Sequence, residues 1–224
     1  VRAAGALAFA ILLTSLGFAR DNAALAQQSP APPTTATDVL SRVESYWKNM
    51  ESYKVPVVMS GSVKVKFISV PFRMDGTQYY QSPGKQALRL NNVPSLARGF
   101  ENTVDNMGTP ETWTVRYDIT LTGTQQHGAH PAYVLVGTPK STGNVKSVTL
   151  YVSEKTYAVQ GMTFNYNNGA TLVVAFSHHG LSPYHEPTSA TINANFPGYS
   201  GNAQVQYGTY TFNVPIDPAV FQKQ

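Results

Sequence analysis

Two periodicities divide the chain. Over residues 38–53, Val39, Leu40, Val43, Trp47 and Met50 recur at helical spacing on one stripe, while Arg42, Glu44, Lys48 and Glu51 point elsewhere. The pattern predicts an amphipathic helix, with Thr37 or Asp38 supplying the N-cap oxygen. From Val57 the period falls to two: Val63, Val65 and Phe67 alternate with Ser62, Lys64 and Lys66. The longest alternation sets Trp113, Val115, Tyr117, Ile119 and Leu121 against Thr114, Arg116, Asp118, Thr120 and Thr122, and predicts the best-defined strand. Further strands are predicted over 72–80, 86–90, 132–137, 145–153, 157–166, 170–178, 188–196 and 203–214. Turn signals punctuate them at Asp75-Gly76, Pro83-Gly84, Asn168-Gly169, Pro197-Gly198 and Gly201-Asn202. A second helix is predicted over 95–107, with Leu96, Phe100, Val104 and Met107 on one face. About ten antiparallel strands and two helices make one α+β domain, and the pattern alone leaves sandwich and barrel open.

The amino terminus reads differently. Arg2 precedes an apolar stretch over 3–18, shorter than the ~20 residues a membrane span needs, and Ala24-Leu25-Ala26 offers a small-x-small cleavage site. The expected organisation is a signal peptide over 1–26, a flexible Pro/Thr-rich tether over 27–37 and a folded domain over 38–224.

Composition narrows the chemistry. The 224 residues include no cysteine, which excludes a disulfide scaffold, an iron–sulfur cluster, a Cys-ligated zinc and a thiol nucleophile. Only 12% are charged, against 42% hydrophobic, about half the usual charged share. The net charge of +4 is scattered. Lys64 and Lys66 suit a solvated strand face, so no nucleic-acid partner is expected. Five histidines lie in two loops, His127 and His130 in QQHGAHP and His178, His179 and His185 in SHHGLSPYHEP, with Glu186 beside the last. Imidazole with carboxylate can hold zinc, but the spacing is not the i, i+4 pair of a helical metal site and prolines interrupt it, so no metal is expected. No Gly-x-Ser-x-Gly occurs, and no local pair among Asp75, Glu101, Asp105, Glu111, Asp118, Glu154 and Glu186 asks for glycoside chemistry. The chain looks like a binder without enzymatic activity or cofactor.

The order of segments resembles the LolA-like family of lipoprotein-sorting and lipid-carrier proteins. The helix DVLSRVESYWKNMESYKVPV (38–57) is followed by the basic strand SGSVKVKF (60–67), then RMDGTQYYQSPGKQALRL (73–90) with its Tyr-x-Ser-Pro step. AYVLVGTPK (132–140) leads into VKSVTLYVSEKTYAVQGMTFNYNNG (145–169), similar to the family's strand, Lys-Thr-Tyr turn and strand. YGTYTFNVPIDPAVF (207–221) is similar to its closing segment. The likeness spans about 37–221, except that 178–196, rich in Pro and His, matches nothing in the pattern. The resemblance implies a single, strongly curved, unclosed antiparallel half-barrel whose concave face is covered by amphipathic helices. It further implies an exported carrier, in the periplasm or on the extracytoplasmic face, that transfers acyl chains of lipid or lipoprotein between membranes. Such a monomer would make transient contact with membranes or envelope proteins. On this implication Val63, Val65, Phe67, Leu88, Leu90, Trp113, Val115 and Tyr117 share the concave, ligand-binding face, and Leu96, Phe100 and Val104 cover it. The alternatives are a β-sandwich adhesion or scaffold domain and a metal-binding protein using the loop histidines.

Overall fold

The computed structural model describes residues 32–91, 93, 107–180 and 182–222. Helix α1 spans Ala36–Trp47. Its cap is Thr35: the Thr35 hydroxyl oxygen accepts from the Asp38 N–H at 3.1 Å, and the Asp38 carboxylate accepts from the Thr35 N–H at 3.0 Å. This reciprocal pair satisfies two otherwise orphaned donors and starts the helix before the expected Thr37 or Asp38. Ala36 is buried in the core, so Ala36 and Thr37 belong to the domain, not to the tether. At the other end the helix stops at Trp47, short of the expected residue 53. The Met50 N–H closes a turn on the Trp47 carbonyl at 2.9 Å, and Tyr53 is already paired with Tyr80 and Phe212 across strands. The helical stripe and the first strand overlap in sequence, and strand pairing takes the overlap.

Eleven strands follow: β1 Ser52–Val65, β2 Ile68–Gln81, β3 Lys85–Asn91, β4 Tyr117–His127, β5 His130–Pro139, β6 Val145–Ser153, β7 Val159–Tyr166, β8 Thr171–Ser177, β9 Ser189–Phe196, β10 Tyr199–Tyr207 and β11 Thr211–Phe212. They form one antiparallel sheet in the order β3-β2-β1-β10-β9-β8-β7-β6-β5-β4, with β11 beside β1. Its edges, β3 and β4, do not pair with each other among the described residues, so the sheet is an unclosed half-barrel and not two flat sheets. The β-sandwich expectation does not describe it. Every neighbouring pair on this path but one joins consecutive strands; the exception is the seam where Val57–Val65 meets Tyr207–Tyr199.

Glycines and bulges let the sheet curl. A Cβ at Gly61 would stand 2.0 Å from the Asn202 carbonyl oxygen, and one at Gly76 2.1 Å from that of Arg89, so only glycine admits these close approaches. Asp75-Gly76 and Gly201-Asn202, expected as turns, therefore lie inside β2 and β10. The β1–β2 turn sits instead at Lys66 and Phe67. Register shifts at Leu121/Gly123, Val145/Ser147 and Tyr151/Val152 add further twist.

The alternation from Trp113 to Leu121 is only half a strand. Pro110–Arg116 forms a second helix, α2, and β4 begins at Tyr117. The competing signal is Thr109-Pro110-Glu111, with Pro at the helix start. Over seven residues a burial pattern of one Trp in, two neighbours out fits either period, and the helix-start chemistry decides. The expected helix over 95–107 lies outside the described residues apart from Met107.

The concave side is filled from both directions. Val39, Leu40 and Val43 of α1 are almost fully buried against Val55, Val57 and Met59 of β1, Tyr80 of β2 and Leu88 of β3, with Leu135, Val152 and Val174 continuing the core across the sheet. Trp113 anchors α2 in the same core.

Candidate functional site

Packing under the helices is incomplete. A cavity of about 100 Å³ lies beside Val43, Tyr46 and Trp47 of α1 and Trp113 of α2, with Met162 and Phe176 from the sheet. A single water needs ~10–15 Å³, so the hollow has room for several waters. A second cavity, about 60 Å³, continues along the sheet past Val57, Met59, Leu88, Val174 and Ile192. The two share Gln78, Gln86, Met107, Phe176 and Tyr207 in their walls. A third void of about 10 Å³ beside Trp113, Tyr117 and Ile119 is at the lower limit for a single water. A larger hollow of about 480 Å³ lies on the opposite face of the sheet and is lined by Ser62, Ser200, Asn193 and Asn202. Its outward-facing walls are mostly polar, so the candidate apolar site is the interior.

One end of the main cavity is polar. Tyr53, Tyr207 and Tyr210 stand there with His178, His185 and Glu186. Tyr53 accepts from Gln78 Nε2 at 2.9 Å, and the Tyr210 hydroxyl donates to the Pro187 carbonyl at 2.9 Å. Burial raises the pKa of all three tyrosines. Glu186 is 5% exposed, and burial pushes its carboxyl up to about 8, so it is largely protonated near neutral pH. Burial, and then the neighbouring His178, lowers the His185 imidazole. His185 stacks on Tyr46 with ring centroids 3.6 Å apart. Among the described residues no three His, Asp or Glu side chains are disposed to hold a metal ion.

The structure distributes the expected site residues unevenly. Trp113, Leu88 and Tyr117 line the voids described above. Val63 is buried and Leu90 half-buried against the core, away from these hollows. Val65, Phe67 and Val115 face solvent, Phe67 at 97% and Val115 at 74% exposure. Phe67 falls in the β1–β2 turn, past the end of the strand whose alternation carried it inward. Val115 lies on the outer side of a helix, so strand periodicity assigned it the wrong face. Leu96, Phe100 and Val104 lie outside the described residues. The reading of single residues missed Tyr46, Tyr157, Phe176, Tyr207 and Tyr210. They are scattered along the chain, and no shared sequence pattern marks them.

These features define a class: an unclosed, helix-covered half-barrel with an unfilled aromatic interior, which is the LolA-like fold. Solved structures share it. A DUF1329 family protein from Desulfovibrio piger superposes with a TM-score of 0.56 at 13% identity, over 83% of this chain and 95% of that one. A putative outer membrane lipoprotein-sorting protein domain from Vibrio parahaemolyticus gives 0.56 at 12%, over 82% and 94%. A LolA superfamily protein from Nitrosomonas europaea gives 0.52 at 12%, over 85% and 99%. No family model and no curated protein matches the sequence.

Proposed function

We propose that this protein is an exported, non-enzymatic carrier that shields acyl chains of a lipid or lipoprotein in its half-barrel and passes them between membranes. The observation that carries the reading is the pair of adjoining interior cavities walled by Trp47, Trp113, Met162, Phe176, Val174 and Ile192. A domain built only for stability fills such space, since interiors pack like organic crystals. Each methylene moved from water into this wall gains about 0.8 kcal/mol, and no covalent step is needed for transfer. Solved structures named for lipoprotein sorting share the fold, which agrees with the reading. Organic extraction and native mass spectrometry of the purified protein are expected to find one acyl ligand per chain. Protein that carries none, and takes up no long-chain lipid when offered it, sinks the proposal.

The tip of the β1–β2 hairpin supports the membrane contact that a carrier requires. Phe67 is 97% and Ile68 67% exposed, with Val65 and Val70 each at 38%. The exposed Lys64 and Lys66 flank them. An apolar point collared by lysines suits an anionic lipid surface, the apolar side chains entering the headgroup layer and the ammonium groups meeting phosphate.

A further inference from the structure

An acyl chain explains the apolar walls of the main cavity but not its polar end. Glu186 is more than nine-tenths buried, and its Oε1 lacks a hydrogen-bond partner. Its backbone N–H donates to Ser182 Oγ at 3.1 Å, which fixes the residue without satisfying the carboxyl. His178 Nε2 lies 3.0 Å from the Val159 carbonyl oxygen. That nitrogen therefore carries the proton, and the buried, unpartnered Nδ1 presents a lone pair. The His185 Nδ1 is likewise buried without a partner. Three buried polar atoms without a hydrogen-bond partner, Glu186 Oε1, His178 Nδ1 and His185 Nδ1, thus belong to residues that line one cavity. Buried polar atoms in native proteins are almost always satisfied, and no metal-holding set exists among the described residues.

Resting on the carrier reading, we propose that this end of the cavity is a head-group pocket for an apolar chain terminating in hydrogen-bond donors, an amine or a hydroxyl, and that it disfavours carboxylate-headed lipids. An ammonium or hydroxyl head donates to the imidazole nitrogens and to the carboxyl oxygen, whereas a carboxylate head brings no donor to the imidazole lone pairs and can draw a hydrogen bond only from the protonated Glu186. Tyr53, Tyr207 and Tyr210 also line this pocket.

Both tryptophans of the chain, Trp47 and Trp113, line the cavity, so intrinsic fluorescence reports its occupancy. Delipidated protein is titrated at neutral pH with dodecylamine, dodecanol and dodecanoate below their micelle concentrations. The amine or the alcohol is expected to bind at least tenfold more tightly than the acid, and whichever leads names the head group. Glu186→Leu removes the carboxyl acceptor and weakens the donor-headed ligands, so the preference falls toward one. His178→Phe removes an acceptor and weakens the donor-headed ligands while dodecanoate is unmoved. Equal binding of all three ligands, as expected if waters alone satisfy these atoms, overturns the head-group pocket and leaves the carrier reading intact. So does a preference that neither variant changes. If no chain binds, the carrier reading fails and the head-group pocket falls with it.

Discussion

The Tyr80 hydroxyl at the end of β2 donates to the Glu111 carboxylate in the first turn of α2. The same carboxylate accepts from the Gly84 N–H at 3.1 Å and from the Thr109 hydroxyl at 2.9 Å. One side chain therefore latches a helix of the cover to the β2–β3 edge of the open sheet. Glu111→Gln keeps the shape but loses the charge-assisted character, and is expected to cost about 1–3 kcal/mol. Denaturant unfolding reads the cost. Stopped-flow tryptophan fluorescence should show a faster release of bound chain, and an unchanged midpoint with unchanged release refutes the latch.

Glu186 gives stability a pH dependence with a definite sign. Its carboxyl titrates at about 8 in the folded protein against an ordinary 4.5, so the native state keeps a proton that the unfolded chain has released. The stabilisation is complete below pH 4.5 and is lost as pH rises through about 8, at no more than about 1.4 kcal/mol per pH unit from this one group. Comparing the pH profile of the unfolding free energy with that of Glu186→Gln isolates the effect. The variant's profile should be flatter between pH 5 and 8, and a slope that survives the substitution assigns the dependence elsewhere.

Gly61 and Gly143 form a matched pair for testing the curl. A methyl at Gly61 meets the Asn202 carbonyl oxygen, whereas one at Gly143 meets nothing within 4 Å. Gly61→Ala is expected to lose more than about 2 kcal/mol or fail to fold, and Gly143→Ala to stay within about 0.5 kcal/mol of the parent. Thermal melts of both suffice. A Gly61→Ala protein with the parent's melting temperature contradicts the close approach.

Phe67 makes the membrane contact testable without touching the core. Because it is 97% exposed, Phe67→Asp should leave stability within about 0.5 kcal/mol. It should also sharply reduce co-sedimentation with vesicles containing phosphatidylglycerol. Undiminished vesicle binding removes the hairpin tip from the transfer step.

Much of the sheet was legible because period-two alternation reports which face of a strand is buried. The β6 and β9 runs appear where the pattern puts them, and Asn168-Gly169 makes the turn between β7 and β8. The errors share a cause. Gly76 and Gly201 read as turn residues because sequence does not tell a glycine that bends the chain from one that lets another strand come close. Trp113 and Val115 read as strand because a short helix entering a strand continues the alternation by chance. The site was less legible still. A cavity is a property of what fails to meet across the fold, and Tyr46, Tyr157 and Tyr210, far apart in sequence, converge on it only through the curl of the sheet.

The seam between β1 and β10 ties residues 57–65 to 199–207, the one junction on the sheet path between strands distant in sequence. Closing so long a loop is slow compared with forming the hairpins on either side. On this ground the seven-strand meander from β4 to β10 and the three-strand unit from β1 to β3 are expected to form before they meet. Until β10 is available, the earlier strands have no partner on that flank and the interior has no wall there. The wall of the hollow interior is thus complete only once β1 and β10 have met.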